Sequence, residues 1–247
     1  LAKRKFGLPA APADGVNFTN QQPMENLFEK GIDNLRQKLL LMASRAGVSV
    51  NDSVRSLLRR DHDLALHVRE DDRLIDQCEV EIDELAIQLL TQAPLATYLR
   101  FVTVAMKISQ NLERVGDEAA KIAKRARDLA QEPAMDSHPD LPRLAEHTLA
   151  MLNDALDAFV HRNPAAARAV IPRDREADAI NREIQSALMR HMEANPDTIP
   201  RCLHWMVASQ SLERIADHAT NIAEEVVYLC EAQDIRHTGL KKQGGPA

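Results

Sequence analysis

Apolar residues recur every three or four positions along most of the chain. From Phe28 they read Phe28, Ile32, Leu35, Leu39, Met42 and Ala46, spaced 4, 3, 4, 3 and 4, and Val50, Val54 and Leu57 extend the stripe. That period predicts a long helix near 25–60. A second stripe, Leu64, Val68, Ile75, Cys78, Ile82, Leu85 and Leu89, predicts a helix near 63–92, with Asp61 or Asp63 at its start and Pro94 beyond its end. The third, near 96–131, carries Val102, Ala105, Leu112, Ala119, Ala123 and Ala126, with Ile108, Val115, Ile122 and Leu129 seven apart. Continuous stripes on helices this long imply a bundle in which each helix packs along its neighbours.

The pattern then repeats. Ser109-Gln110-Asn111-Leu112-Glu113-Arg114-Val115-Gly116-Asp117 returns 100 residues later as Ser209-Gln210-Ser211-Leu212-Glu213-Arg214-Ile215-Ala216-Asp217. Met106, Ala119, Ile122 and Ala123 keep that register with Met206, Ala219, Ile222 and Ala223. The second helix repeats at an offset of 102, Arg60-Asp61 through Asp72 and Asp76 matching Arg162-Asn163 through Asp174 and Asp178. Further helices are therefore expected near 140–162, 164–194 and 199–233. The fold class is all-α: two tandem three-helix bundles, residues 24–131 and 139–237, joined by a linker at 132–138 and stacked because one unit buries its core poorly alone. Residues 1–23 read as a flexible N-terminal extension, native or left from cloning, and 238–247 as a flexible tail.

Composition agrees with this. Only 3% of the 247 residues are aromatic and 8 are Gly, which suits helices rather than a turn-rich strand fold. The 31 basic and 37 acidic residues leave a net charge of −6, which argues against non-specific nucleic-acid or anionic-membrane binding. Cys78, Cys202 and Cys230 are far apart and form no CxxC, so neither a disulfide framework nor a zinc knuckle is expected, and a cytoplasmic location is. The longest uncharged run, 85–99, contains Pro94 and is too short to span a bilayer, and 1–23 lack the apolar core of a signal peptide.

Carboxylates are the one group patterned for chemistry. Asp72, Asp76, Glu79 and Asp83 are spaced 4, 3 and 4 on the second helix, displaced by one residue from its apolar stripe. Glu113 and Asp117 are four apart on the third helix, as are Glu213 and Asp217 in the second copy. Like charges at that spacing repel unless something neutralises them. A hard cation is one such partner: oxygen-only clusters suit Mg²⁺, Mn²⁺, Ca²⁺ or iron. A solvated face on which Arg114 and Arg214 pair with these acids is the alternative. The second copy has Asn181 and Gln185 at the places of Glu79 and Asp83, so a second site has fewer anionic ligands.

No Glu-x-x-His, GxSxG, HExxH or phosphate-cradling Gly-rich loop occurs. His218 reads as a surface group or one behind the ligands, and Trp205 with His204 as buried packing. Lys121, Lys124, Arg125 and Arg127 read as a solvated basic face near the negative end of the third helix.

At Leu112-Glu113-Arg114-Val115-Gly116-Asp117 and Leu212-Glu213-Arg214-Ile215-Ala216-Asp217-His218-Ala219-Thr220-Asn221-Ile222-Ala223-Glu224 the chain resembles the PhoU family of bacterial phosphate-transport accessory proteins. The resemblance extends over about 24–237 and includes Asp72-Arg73, Asp174-Arg175 and the closing Val227-Tyr228-Leu229. It implies a regulator, not an enzyme, that represses phosphate uptake and phosphate-responsive signalling. The partners it implies are a phosphate transporter ATPase and a membrane sensor histidine kinase, with membrane contact only through them; a homodimer is expected. Metal ions (iron, zinc, manganese, magnesium or calcium) would lie on Glu113, Asp117, Glu213 and Asp217, with Asp72, Asp76, Glu79, Asp83, Asp174 and Asp178 as co-ligands. Departures are Ala216 for Gly116 and His218 for Glu118. Two other classes remain: a carboxylate-bridged metalloenzyme and a metal-free helical adaptor.

Overall fold

The computed structural model describes residues 21–92, 95–135 and 140–236, with side chains from Phe28 onward. The extension before Gln21, linker residues 136–138 and the tail 238–247 lie outside them. Among the described residues seven α-helices follow one another: α1 (Gln21–Arg59), α2 (His62–Leu90), α3 (Ala96–Gln131), α4 (Leu141–Val160), α5 (Pro164–Val170), α6 (Asp174–Ala194) and α7 (Ile199–Glu231). Among the described residues there is no strand, and no helix is long and apolar enough to cross a membrane.

Helices α1, α2 and α3 pack mutually as one three-helix bundle, and α4, α5–α6 and α7 form the second. The bundles meet chiefly where α3 lies along α7, with α1 touching α4 beside them. All nine residues of the first apolar stripe, Phe28 to Leu57, are buried. So are Ile108, Leu112, Val115, Ala119 and Ile122 of α3 and their counterparts Ala208, Leu212, Ile215, Ala219 and Ile222 of α7. The two central helices thus bury the same register, which is the repeat expressed in packing.

Twin turns join the first two elements of each bundle. Arg60 and Arg162 both adopt left-handed backbone, at φ 56° and 48°. The next residue closes the helix behind it, Asp61 N–H donating to Ser56 O and Asn163 N–H to Ala158 O, both at 2.9 Å. The same residue caps the helix ahead, the Asp61 carboxylate accepting from Leu64 N–H and the Asn163 amide oxygen from Ala166 N–H, both at 3.0 Å.

One expectation is corrected. The single helix near 164–194 is instead α5 and α6, separated by a 3₁₀ turn, Ile171–Arg173. Pro172 sits inside that turn; proline has no N–H to donate and its ring crowds the preceding turn, so the regular hydrogen-bond ladder is interrupted while Val170, Ile171, Arg173 and Asp174 keep right-handed helical backbone.

Candidate functional site

The carboxylate stripes face one another along two interhelical grooves, α2–α3 and α6–α7, each of these acids half-buried except Asp76, which is exposed. In the first, α2 supplies Asp72, Asp76, Glu79 and Asp83, and α3 supplies Glu113 and Asp117. Burial pushes the Asp72 carboxyl up to about 6, helped by the charges of Asp76 and Asp117 and opposed by Arg69 and Lys121. Glu113 is raised by burial and then by Asp117, Glu79 and Asp76, Arg114 opposing. Glu79 is raised by burial and then by Asp83, Asp76 and Asp117, again against Arg114. Acids of α2 and α3 therefore feel one another across the helix pair. Asp72 Oδ1 and Glu113 Oε2 are shut off from solvent without a hydrogen-bond partner.

Gly116 brings the helices together here. A Cβ on it would lie 3.0 Å from Ile75 Cδ1 and 3.2 Å from Asp72 Oδ1. In the second copy Ala177 and Ala216 stand at the places of Ile75 and Gly116, so a smaller residue on one helix accompanies a larger one on the other.

The second groove has Asp174 and Asp178 on α6 and Glu213 and Asp217 on α7. Burial, then Asp217, Asp178 and Asp174, pushes Glu213 up to about 6 against Arg214. Where Glu79 and Asp83 stood, Asn181 and Gln185 form a neutral cluster: Gln185 Nε2 donates to Met206 O at 3.0 Å, and Ser209 Oγ donates to Asn181 Oδ1. The amides fasten α6 to α7 where the first groove carries carboxylates.

The solvated-face alternative holds in part. Arg114 Nε lies 3.3 Å from Glu113 and its Nη1 3.4 Å from Asp117. Arg214 turns away from its own groove to Glu118 of the other bundle, at 3.4 Å. The donor set, oxygen-only and with Asp72 Oδ1 buried and unpartnered, fits a hard cation. Among the described residues no three Asp, Glu, His or Cys side chains converge closely enough to hold an ion as they stand, so ligation requires carboxylate rotamers to change.

Sequence reasoning missed the polar seam between the bundles. Glu118 is buried, 2.8 Å from Lys121 and facing Arg214. His218, read as a surface group or one behind the ligands, is half-buried with Nδ1 3.0 Å from Asn111 Oδ1 of α3. Glu225, also buried, meets Lys107 at 3.1 Å and Arg236 at 3.4 Å. The exchange of Glu118 for His218 at the repeat offset was the available signal. Trp205 is buried as expected.

The chain is similar to known proteins over most of its length. The PhoU domain model matches residues 39–126 and 141–226. The phosphate-specific transport system accessory protein PhoU homolog of Pseudomonas putida is 37% identical over 217 residues, 87% of this chain and 85% of that protein. The Escherichia coli phosphate-specific transport system accessory protein PhoU is 32% identical over 227 residues, 92% of this chain and 93% of its own. The crystal structure of PhoU from Pseudomonas aeruginosa superposes with a TM-score of 0.81 at 36% identity, covering 83% of this chain and all (100%) of that one.

Proposed function

The chain belongs to the PhoU family, and from that we propose that it is a non-catalytic negative regulator of phosphate uptake and of phosphate-responsive signalling. It acts on the cytoplasmic side of the membrane by docking on a phosphate transporter ATPase and on a sensor histidine kinase, and it does so as a homodimer. Relatives spanning most of their own length are named accessory proteins of phosphate transport, and that observation carries the reading.

Metal ions are part of the proposal. Asp72, Asp76, Glu79, Asp83, Glu113 and Asp117 would hold them in the first bundle, and Asp174, Asp178, Glu213 and Asp217 fewer in the second. A bound cation supplies positive charge to a surface whose carboxylates repel one another. The protein's own part is to present these acids from two helices held at fixed register by Gly116 and by the buried α2–α3 and α6–α7 seams.

Calorimetry of the purified chain with the transporter ATPase, at high and low phosphate, tests the docking. Saturable binding that depends on phosphate is the expected result. No binding in either condition, with phosphatase or oxidase turnover by the purified chain, overturns it.

A further inference from the structure

The basic run near the end of α3 does not form the single solvated face its sequence suggests. Arg125 turns toward Asp128, 3.1 Å away, and His204 of α7, 3.3 Å away. Lys121, Lys124 and Arg127 instead line, with Arg69 of α2, an open groove of about 500 Å³. Asp117, Ala120 and Asp128 complete the lining. Asp117 and Asp128 already face Arg114 and Arg125, and Lys121 reaches Glu118. Arg69, Lys124 and Arg127 make no ion pair among the described residues, and Arg127 Nε is shut off from solvent without a partner.

The repeat supplies an internal control. At the places of Arg69, Lys121, Lys124 and Arg127 the second copy has Ile171, Asn221, Glu224 and Val227. The fold therefore does not require cations here. A chain of net charge −6 has gathered four of them in one groove.

We propose that this groove binds a chain of linked phosphate groups, such as a di- or triphosphate. Lys121, Lys124 and Arg127 step along α3 over about 9 Å at 1.5 Å per residue, a row that meets several anionic groups at once. Two guanidinium forks suit tetrahedral oxyanions, and the ammonium groups add point charge. Among the described residues Ala120 is the only apolar one in the lining, and they offer no platform for a nucleobase or for a lipid tail. Asp117 and Asp128 repel a weakly held single anion, and a ligand that engages all four cations together overcomes them.

Calorimetry with inorganic orthophosphate, pyrophosphate and tripolyphosphate, in low and high salt, tests this. Affinity should rise along that series, with tripolyphosphate at least about tenfold tighter than orthophosphate, and fall with salt. Lys124→Gln with Arg127→Gln should weaken tripolyphosphate at least about tenfold, while Arg143→Gln with Arg190→Gln on the other bundle leaves it unchanged. Circular dichroism melts establish that both variants fold; if the first does not, Arg69→Gln alone provides the same comparison. Two further arms use an Asp-rich decapeptide and phosphatidic-acid vesicles at matched phosphate. No binding of tripolyphosphate, equal binding by the groove variants, or tighter binding of the peptide or the vesicles overturns the proposal.

Discussion

Gly116 of α3 lies so close to Asp72 of α2 that a methyl group on the glycine would stand 3.2 Å from the carboxylate oxygen. A Cβ there must also push Ile75 Cδ1, 3.0 Å away, by a few tenths of an ångström. Replacing glycine by alanine inside a helix gains about 1 kcal/mol of propensity, and the crowding opposes it. Gly116→Ala should therefore leave stability nearly unchanged in urea unfolding. Gly116→Leu overfills the seam and should cost about 1–3 kcal/mol.

The raised carboxyls give a signed pH dependence. Asp72 and Glu213 titrate near pH 6 in the folded chain, above their ordinary values of 3.8 and 4.5. Below those ordinary values both states are protonated and the groups cost nothing. As pH rises through 6 the folded state must ionise them against burial and like charge, so stability falls between about pH 4 and pH 6.5. Because the groups are partly exposed, solvent screening holds the loss to no more than about 1 kcal/mol each. Asp72→Asn should raise the melting temperature of metal-stripped protein at pH 7 and leave it unchanged at pH 4.

Cation loading should reverse that loss. An ion at about 100 times its Kd stabilises the folded chain by about 2.7 kcal/mol. Thermal melts of stripped and loaded protein should separate for the wild type and coincide for Asp117→Asn with Asp217→Asn. Identical melts for loaded and stripped wild type would mean that the acids form only a solvated face.

Glu118 behaves in the opposite sense. Burial acts to raise its carboxyl, but hydrogen bonds from Lys121 and Ser211 and the charges of Lys121 and Arg214 outweigh it and hold the group below its ordinary value. Its contribution is present above pH 4.5 and is lost as pH falls. Glu118→Ala should cost about 1–2 kcal/mol at pH 7 and less at pH 4, as read by urea unfolding at both.

The twin caps offer a test of the repeat itself. Asp61→Ala and Asn163→Ala each remove one side-chain acceptor at 3.0 Å from a helix start. Each should cost about 1 kcal/mol, and the two costs should add because the sites share no partner.

Much of this was legible in the sequence, for identifiable reasons. The buried register of α3 and α7 follows from a period of 3.6 that no side-chain detail overrides, and the repeat at 109 and 209 placed both helices alike. The break at Pro172 was visible as a proline inside a helical pattern, but the Asp174–Asp178 match to Asp72–Asp76 drew the helix through it. Relations between helices were less accessible. That Asp72 feels Asp117, that His218 meets Asn111 and that Arg69 joins Lys121 in one groove depend on interhelical register, which a stripe on one helix does not specify.

The central claim is regulation of phosphate uptake, and uptake measures it directly. Radiolabelled phosphate entry is followed in phosphate-replete cells that lack this chain, with and without its return. Returning the wild type should lower uptake, and returning the folded Asp117→Asn, Asp217→Asn variant should lower it less. Uptake unchanged by loss and by return of the wild-type chain would contradict the account.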